Sequence, residues 1–175
     1  LTGAKGIFGA AMSEYVLGWI LALERSILRH ATATHWDERP DRGTSGLRVG
    51  IAGVGSIGEE VARRSTPFFR EIVGLNSDGR DVPGCARCFP RERVMEFAAG
   101  LDVLVMLLPA TAATKDLVDA RVLGQLARGA LVINAGRAHS LHLDDTLQAL
   151  ESRQLSSVVL DVLHREPLPD GDPLW

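Results

Sequence analysis

The segment GVGSIG at 53–58 places three glycines at the spacing GxGxxG. Such a spacing suits a strand that turns tightly into a helix beside a bound pyrophosphate. Gly53 would permit the turn, Gly55 would let the backbone approach the phosphates, and Gly58 would let the helix pack closely on the strand. The apolar residues before the motif and the helical pattern after it supply the strand and helix that this interpretation needs.

The helix that follows would begin at Ser56 and Ile57. The backbone N–H groups of these two residues have no partner within a helix, and the positive end of the helix dipole adds to their attraction for an anion. The motif therefore predicts a dinucleotide site. The alternative is a glycine-rich turn that binds no ligand.

A dinucleotide site of this kind usually has an acid about twenty residues further on, where the second strand ends and the ribose hydroxyls are held. That position is occupied by the neutral Asn76, with Asp78 further round the turn and Arg80 beyond it. An asparagine does not repel a 2′-phosphate as a carboxylate would, and an arginine could attract one. The pattern leaves NAD and NADP both open and slightly favours NADP.

Short apolar segments alternate with helical patterns along the rest of the chain. We predict strands at 47–52, 71–75, 101–108, 130–134 and 157–161, and helices at 56–65, 92–99, 119–127 and 144–152. The run 101–108 is apolar almost throughout, as expected of a strand buried on both faces. This alternation predicts βαβ units, and so an α/β domain over residues 1–175 with a Rossmann-type doubly wound parallel sheet.

Residues 9–30 are predicted to form one long helix in front of the sheet. One face carries Met12, Tyr15, Val16, Trp19, Ile20, Leu23 and Ile27, and a second flank carries Leu17, Leu21 and Leu28. An apolar surface this wide needs burial on more than one side. The second flank is either core of the same domain or a contact with a second subunit, and both remain open. The second case predicts a homodimer.

Charge and cysteine usage limit the partners. The net charge is −3 without a basic run, which argues against nucleic acid and anionic membranes as partners. The apolar run 15–23 is too short to span a bilayer.

Cys85 and Cys88 form one CxxC, which could be a redox pair or half of a zinc site. Because no second ligand pair is present, we predict two reduced thiols in a loop, no metal site, and a cytoplasmic location.

Five further segments stand out along the chain. They are Gly6-Ile7-Phe8-Gly9 with Ser13-Glu14-Tyr15-Val16-Leu17, Leu107-Leu108-Pro109 with Thr111 and Thr114, Asn134-Ala135-Gly136-Arg137, DVLHREP at 161–167 and DPLW at 172–175. In this order they resemble the motifs GxFG…AEYVL, LPLTxxT, NxGRG and DVFxxEP and the closing segment of the D-isomer-specific 2-hydroxyacid dehydrogenases. The matches extend over nearly the whole chain. The resemblance is therefore far more specific than the glycine motif alone.

The resemblance implies roles for single residues. Arg137 would grip the substrate carboxylate and polarise the reacting carbonyl, which suits the planar fork of a guanidinium. Glu166 would pair with an acid–base histidine, and Asp161 would contact the nicotinamide amide. Pro109 and Thr114 would lie near the adenosine half. The full set assigned to the cofactor is Gly53, Gly55, Ser56, Ile57, Gly58, Asn76, Leu108, Pro109, Thr114, Ala135, Arg137 and Asp161.

The sequence departs from the family pattern at Ala138, where a glycine is usual, and no histidine occupies the catalytic position. His139 and His142 are the nearest candidates, but the family's histidine follows the DxPLW segment, so we expect it outside this chain. A substrate domain is expected to be missing as well, with interdomain hinges near 1–8 and 168–175. The implied reaction is hydride transfer between NAD or NADP and C2 of a 2-oxo or 2-hydroxy acid, and these residues alone are expected to be inactive.

A binding protein of the same fold is the alternative function. A dinucleotide-sensing corepressor shares these motifs and can keep residues such as Arg137 and Glu166 while acting through protein partners. Turnover of a 2-oxo acid by the full-length protein would discriminate between the two. An S-adenosylmethionine-dependent methyltransferase is a weaker alternative, because the NxGR-like and DVxxxEP-like segments argue against it.

Overall fold

A computed structural model describes residues 7–36, 38, 42–172 and 174–175. Its strands are β1 Arg48–Ala52, β2 Glu71–Asn76, β3 Arg87–Pro90, β4 Val103–Met106, β5 Ala130–Asn134 and β6 Leu155–Leu160. They form one sheet in the order β3-β2-β1-β4-β5-β6, with every neighbouring pair parallel. This order reverses direction between β1 and β4, which makes that crevice the expected ligand site. The predicted Rossmann-type sheet is confirmed.

Helices cover both faces of the sheet. They are α1 Gly9–Glu24, α2 Ile27–Ala31, α3 Ser56–Ser65, α4 Val94–Ala98, α5 Ala120–Leu123 and α6 Leu143–Glu151, with 3₁₀ turns at Thr66–Phe68, Arg91–Arg93, Ala112–Thr114 and Ala138–Ser140. The bounds of α3 and β5 coincide with the predicted 56–65 and 130–134. The predicted helix 119–127 is shorter in the structure, where the Asp119 carboxylate caps α5 by accepting the N–H groups of Arg121 and Val122 at 3.0 and 3.1 Å.

Strand β4 lies at the centre of the core. Leu104 and Met106 pack into the apolar cluster on one face of the sheet, while Val103 and Val105 pack into the cluster on the other. All four side chains are completely buried. The prediction of a strand buried on both faces is confirmed, although the strand is shorter than the apolar run 101–108.

The predicted N-terminal helix is present as α1, but the prediction that it continues unbroken to residue 30 is wrong. The structure has two helices, separated where Ser26 adopts a left-handed backbone with φ of 52°. Val16 and Ile20 of α1 are completely buried in the layer that α1 shares with α3. Ile27 comes after the break and is therefore rotated away from that face, with 51% of it exposed.

Strand β3 was not predicted. The sequence suggested only a loop after β2, yet Arg87–Pro90 pairs with Val73–Asn76 at the edge of the sheet. The strand is short and ends in Pro90, which an edge position tolerates because one side of its backbone needs no ladder partner.

Within the described part of the chain, no helix is long and apolar enough to cross a membrane.

Candidate dinucleotide-binding site

The glycine turn connects the end of β1 to the start of α3. Backbone hydrogen bonds hold it between the ends of β2 and β4. Gly53 has φ of 101°, and a Cβ at this position would lie 2.7 Å from the carbonyl oxygen of Leu107. Its N–H donates to Leu75 O at 2.9 Å, and Leu107 N–H donates to Ala52 O at 2.7 Å. Both the backbone conformation and the close approach therefore require glycine at this position.

The other two glycines of the motif meet opposite surroundings. A Cβ on Gly58 would lie 2.3 Å from the carbonyl oxygen of Gly53, whereas a Cβ on Gly55 would meet no atom within 4 Å. Gly58 thus permits the contact between helix and strand, and Gly55 leaves an open surface above the first N–H groups of α3. Ser56, the first helical residue, is exposed at this surface. The turn therefore fits a pyrophosphate that approaches over Gly55.

A cavity of about 330 Å³ extends from this turn across the ends of β2 and β4, within the range of small-molecule sites. Six predicted site residues line it: Gly53, Gly55, Asn76, Leu108, Pro109 and Thr114. The structure thus brings together the glycine turn, Asn76 at the end of β2 and the loop after β4.

Asn76 lines the cavity, but its amide is used to shape the loop. Its Oδ1 accepts the N–H of Gly79 at 2.5 Å, and its Nδ2 donates to the carbonyl of Arg80 at 2.8 Å. These bonds fold residues 76–80 into a compact turn that places Arg80 at the cavity. Asn76 therefore acts mainly through the position of the residues that follow it.

Arg91 is a lining residue that the sequence analysis missed. It follows β3 directly and faces the same cavity as Arg80 and Ser77. Its guanidinium lies 3.2 Å from the carboxylate of Glu92, and that of Arg80 lies 3.8 Å from Asp78. Both are surface ion pairs, which are weak and easily exchanged for a bound anion. Its place at the cavity follows from the edge strand before it, for which the sequence carries no periodic signal.

The loop after β4 forms the opposite wall. Thr114 is buried, and its hydroxyl donates to the carbonyl of Pro109 at 2.6 Å, while the N–H of Thr111 donates to the Thr114 hydroxyl at 3.1 Å. Gly136 supports this wall from behind, since a Cβ there would lie 2.7 Å from Leu108 N. Thr114 therefore holds the loop rather than offering a free hydroxyl.

Asn134 fixes the turn that carries Arg137. The side chain of Asn134 is fully buried at the end of β5; its Oδ1 accepts the N–H of Gly136 at 3.2 Å, and its Nδ2 donates to the carbonyl of Arg137 at 3.2 Å. The intervening Ala135 is buried, whereas Arg137 is exposed and donates to Gly136 O at 2.8 Å. The guanidinium therefore lies at the carboxyl edge of the sheet, where ligands bind in this architecture.

Asp161 follows β6, next to β5, and its N–H donates to Asn134 O at 3.0 Å. Its carboxylate lies beside the Tyr15 hydroxyl of α1. Burial raises the pKa of Tyr15, and the Asp161 charge raises it further. The phenol therefore stays protonated next to the Asp161 carboxylate, which makes Tyr15 a polar neighbour of a predicted site residue. From periodicity alone, Tyr15 was assigned only to an apolar helix face.

Glu166 lies in the exposed segment beyond Asp161, where its Oε1 accepts the N–H of Leu163 at 2.9 Å. The two candidate histidines have structural contacts. His139 Nε2 lies 3.3 Å from the hydroxyl of Thr114, and His142 Nδ1 lies 3.2 Å from the carboxylate of Asp145 at the start of α6. Across the described ranges, no cluster of three or more His, Cys, Asp or Glu side chains could hold a metal ion.

The topology and the glycine turn define a Rossmann-type dinucleotide-binding domain. A family model described as D-isomer specific 2-hydroxyacid dehydrogenase, NAD binding domain, matches residues 17–175. The chain belongs to this family, and it is an NAD(P)-binding domain.

Known proteins of similar sequence and structure agree. Glyoxylate/hydroxypyruvate reductase A of Serratia proteamaculans is 31% identical over 94% of this chain and 53% of its own length. A family member from Aeromonas salmonicida superposes with a TM-score of 0.93 at 36% identity, over 100% of this chain and 57% of that one. One from Xanthobacter autotrophicus, crystallised with NADPH and MES, has a TM-score of 0.90 at 30% identity, over 100% and 74%. The chain thus spans little more than half the length of two curated relatives that it matches, 53% of the Serratia proteamaculans protein and 59% of a protein from Corynebacterium melassecola.

Proposed function

We propose that the intact protein is an NAD(P)-dependent oxidoreductase that transfers a hydride between the nicotinamide and C2 of a 2-oxo or 2-hydroxy acid. The observation that carries this proposal is the position of Arg137 at the end of β5, on the same edge of the sheet as the Gly53–Gly58 turn. An anion-binding guanidinium on the same edge of the sheet as a dinucleotide site suits the reduction of a 2-oxo acid. Membership of the family supports the same reaction.

Each residue of the site has a proposed part. Bound NAD(P) would supply or accept the hydride. Arg137 would hold the substrate carboxylate and stabilise the negative charge that develops on the C2 oxygen. Asp161, which lies beside the Tyr15 hydroxyl, would orient the nicotinamide amide, and Glu166 would hold an acid–base histidine that exchanges a proton with the C2 oxygen.

That histidine and the surface that encloses the substrate are proposed to come from residues outside this chain. The share of the relatives that the chain spans supports a second, substrate-binding domain, joined through hinges near 1–8 and 168–175. Residues 1–6 and 173 of these hinges lie outside the described residues. A cytoplasmic location is proposed on the free thiols of Cys85 and Cys88.

Binding and turnover test this function separately. Titration of the intact protein with NADPH and NADH, followed by fluorescence, measures the dissociation constants, and glyoxylate, hydroxypyruvate and pyruvate are then offered as substrates. We expect reduction of at least one of the three with consumption of NAD(P)H. Dinucleotide binding without turnover of any 2-oxo acid would favour the sensing function instead.

We further propose that NADP is the preferred cofactor. Arg80 and Arg91 both line the cavity at the expected ribose position, and Asn76 introduces no carboxylate there. Two guanidinium groups beside a ribose favour a 2′-phosphate, because charge-assisted hydrogen bonds to phosphate are the stronger kind. The NADPH complex of the Xanthobacter autotrophicus protein supports this preference.

Replacing Arg91 by alanine is expected to weaken NADPH binding about tenfold, or about 1.4 kcal/mol, and to leave NADH binding unchanged. Only the 2′-phosphate distinguishes the two ligands, so the ratio of dissociation constants isolates that contact. Arg93→Ala is the matched control, since Arg93 pairs with Glu96 on the surface and does not line the cavity. An equal loss for both ligands would contradict the assignment.

A homodimer paired through α1 and α2 is also proposed. Ile7 and Phe8 before α1, and Ile27 and Leu28 in α2, are at least half exposed. Leu17 of the predicted second flank packs partly against the core, so the exposed apolar surface is concentrated at the two ends of this helical segment. Burying the same surface on two subunits would remove it from water.

Leu28→Glu is expected to convert the dimer into a folded monomer, because a charged side chain would be buried at the two-fold contact. Sedimentation velocity at micromolar concentration measures the mass, and circular dichroism measures folding. Met95→Glu is the control, since Met95 is an exposed apolar side chain on α4. A monomeric unmodified protein would rule out the dimer.

A further inference from the structure

Cys85 and Cys88, predicted as two thiols in a loop, form an ordered pair. Only Cys85 lies in the loop, because Cys88 is in β3 and is buried. The two thiols lie close enough for Cys88 to contribute to the raised pKa of Cys85. Both sulfurs lie over Gly74 of β2, where a Cβ would be 2.8 Å from Sγ of Cys88 and 3.2 Å from Sγ of Cys85. Gly74 thus provides the space that the pair occupies.

A tight turn brings Cys85 to its partner. The N–H of Cys85 donates to Val82 O at 3.1 Å, and Gly84 has φ of 87°. A Cβ on Gly84 would lie 2.6 Å from the backbone nitrogen of Arg63 in α3. The turn therefore packs tightly against α3. This contact leaves Cys85 little freedom to move away from Cys88.

The same sulfur pair adjoins the glycine turn. A Cβ on Gly74 would also lie 3.1 Å from Cγ2 of Val54, and the N–H of Val54 donates to Leu75 O at 3.3 Å. Gly74, Leu75 and Val54 thus connect the sulfurs to the turn over which the pyrophosphate is expected. Only one layer of packed atoms separates the two sulfurs from the glycine turn, so a shift in the sulfur positions would displace that turn.

A second cavity, of about 290 Å³, gives access to the pair. Cys85 lines it together with Thr66, Phe69 and Arg70, whereas Cys88 is only 7% exposed. A small reagent therefore reaches Cys85 first.

We propose that Cys85 and Cys88 are a redox site that closes to an intramolecular disulfide on reaction with a hydroperoxide, and that closure weakens dinucleotide binding. The Cys85 sulfur attacks the peroxide and becomes a sulfenic acid as the O–O bond breaks. The Cys88 sulfur then displaces the sulfenic oxygen, which leaves as water. For hydrogen peroxide, two thiols and one peroxide give one disulfide and two waters.

Closure must change the packing described above. Bonded sulfurs lie about 2.05 Å apart, closer than two unbonded sulfur atoms can approach each other. The pair must contract while Gly74 and Val54 remain against it, which shifts the end of β2 and the glycine turn from the arrangement that fits a pyrophosphate. The reduced protein is therefore the form that binds the dinucleotide better.

The surroundings of the pair make the reaction slow at neutral pH. Burial raises the pKa of Cys85 to about 12, helped by the neighbouring Cys88 and by Glu59 of α3, and burial also raises the pKa of Cys88, near Asp81. Arg70 and Glu71 are the charged residues of the access cavity. Because the thiolate fraction grows about tenfold per pH unit below the pKa, oxidation is best followed at mildly alkaline pH.

Disulfide formation is tested on the intact, fully reduced protein. It is treated with hydrogen peroxide, quenched with catalase, alkylated and digested, and the peptide that contains both cysteines is weighed. We expect a mass lower by two hydrogens and no alkylation, with full reversal by dithiothreitol. Cys85→Ser must abolish the change, and Cys88→Ser is the second variant should the first fail to fold. Recovery of two alkylated thiols, or of sulfinic acid alone, overturns the proposal.

The effect on the dinucleotide is measured with NADP⁺, which does not reduce the disulfide. We expect the oxidised protein to bind NADP⁺ at least about tenfold more weakly than the reduced protein, while peroxide-treated Cys85→Ser binds as before treatment. Linkage then requires saturating NADP⁺ to raise the reduction potential of the pair by about 30 mV for a tenfold difference. Equal affinity of both forms, or an unmoved potential, overturns the coupling.

The coupling rests on the proposed dinucleotide site, whereas the disulfide does not. A reduced protein that binds neither NADP⁺ nor NAD⁺ would overturn both the proposed function and the coupling. Binding by the reduced protein with no change on oxidation would overturn the coupling alone.

Discussion

Replacing Arg137 by alanine is expected to lower kcat/KM of the intact protein by on the order of 10²–10³-fold. The guanidinium is proposed to contact both the substrate carboxylate and the C2 oxygen, so its loss should raise KM and lower kcat together. Asn134 holds the backbone on either side of Arg137, and the Arg137 side chain donates only to the neighbouring Gly136 O. The substitution should therefore leave the fold intact, which circular dichroism and the NADPH dissociation constant would verify.

One further variant distinguishes the paired donors of the Arg137 guanidinium from its positive charge, and a second is a control. Arg137→Lys keeps the charge but loses the planar pair of donors, and should recover only a small part of the rate. Arg128→Ala removes an arginine from the opposite end of β5, where it lies near Ser152 O, and should have no kinetic effect. Wild-type kcat/KM in Arg137→Ala would remove Arg137 from the catalytic set and with it the main support for the proposed reaction.

The parts of the fold that could be predicted are the helices and strands whose first and last residues are set by neighbouring residues in the sequence. The helix at 56–65 begins after Gly55 and ends before Pro67, and the strand at 130–134 is an apolar run that follows Gly129 and closes with the polar Asn134. Glycine and proline restrict the backbone within one or two residues, so such bounds need no knowledge of the neighbouring elements. The roles of Gly53 and Gly58 follow for the same reason.

The parts that escaped prediction depend on contacts between distant residues. Strand β3 exists because residues 87–90 pair with β2, and four residues ending in proline carry no periodicity. Arg91 escaped with it, since its place at the cavity follows from that strand. The apolar spacing of residues 9–30 does not reveal the break between the two helices at Ser26. The hydrogen bonds of the Asn76 side chain to Gly79 and Arg80 depend on the backbone conformation of residues 76–80. Residue type suggested what these side chains could bind, but only the fold determines the direction in which they face.

Two glycine-to-alanine substitutions in the motif distinguish the proposed binding surface at Gly55 from the packing contact at Gly58. Gly58→Ala is expected to lower the free energy of unfolding by about 1–3 kcal/mol, because its Cβ would lie 2.3 Å from Gly53 O. That carbonyl cannot retreat easily, since Gly53 is itself held against Leu107. Urea unfolding of the ligand-free protein measures this loss.

Gly55→Ala should show the reverse. Its Cβ would meet no atom within 4 Å, and the extended backbone of Gly55, with φ of −80°, is open to alanine, so the free energy of unfolding should change by less than about 0.5 kcal/mol. The added methyl group would instead occupy the path of the pyrophosphate over the start of α3, and the dissociation constants for NADPH and NADH should both rise by at least about tenfold. Gly46→Ala, another glycine with open space around it, should change neither stability nor binding. Unchanged dinucleotide affinity in Gly55→Ala would mean that the phosphates do not cross this turn, and the site would have to be placed elsewhere on the sheet.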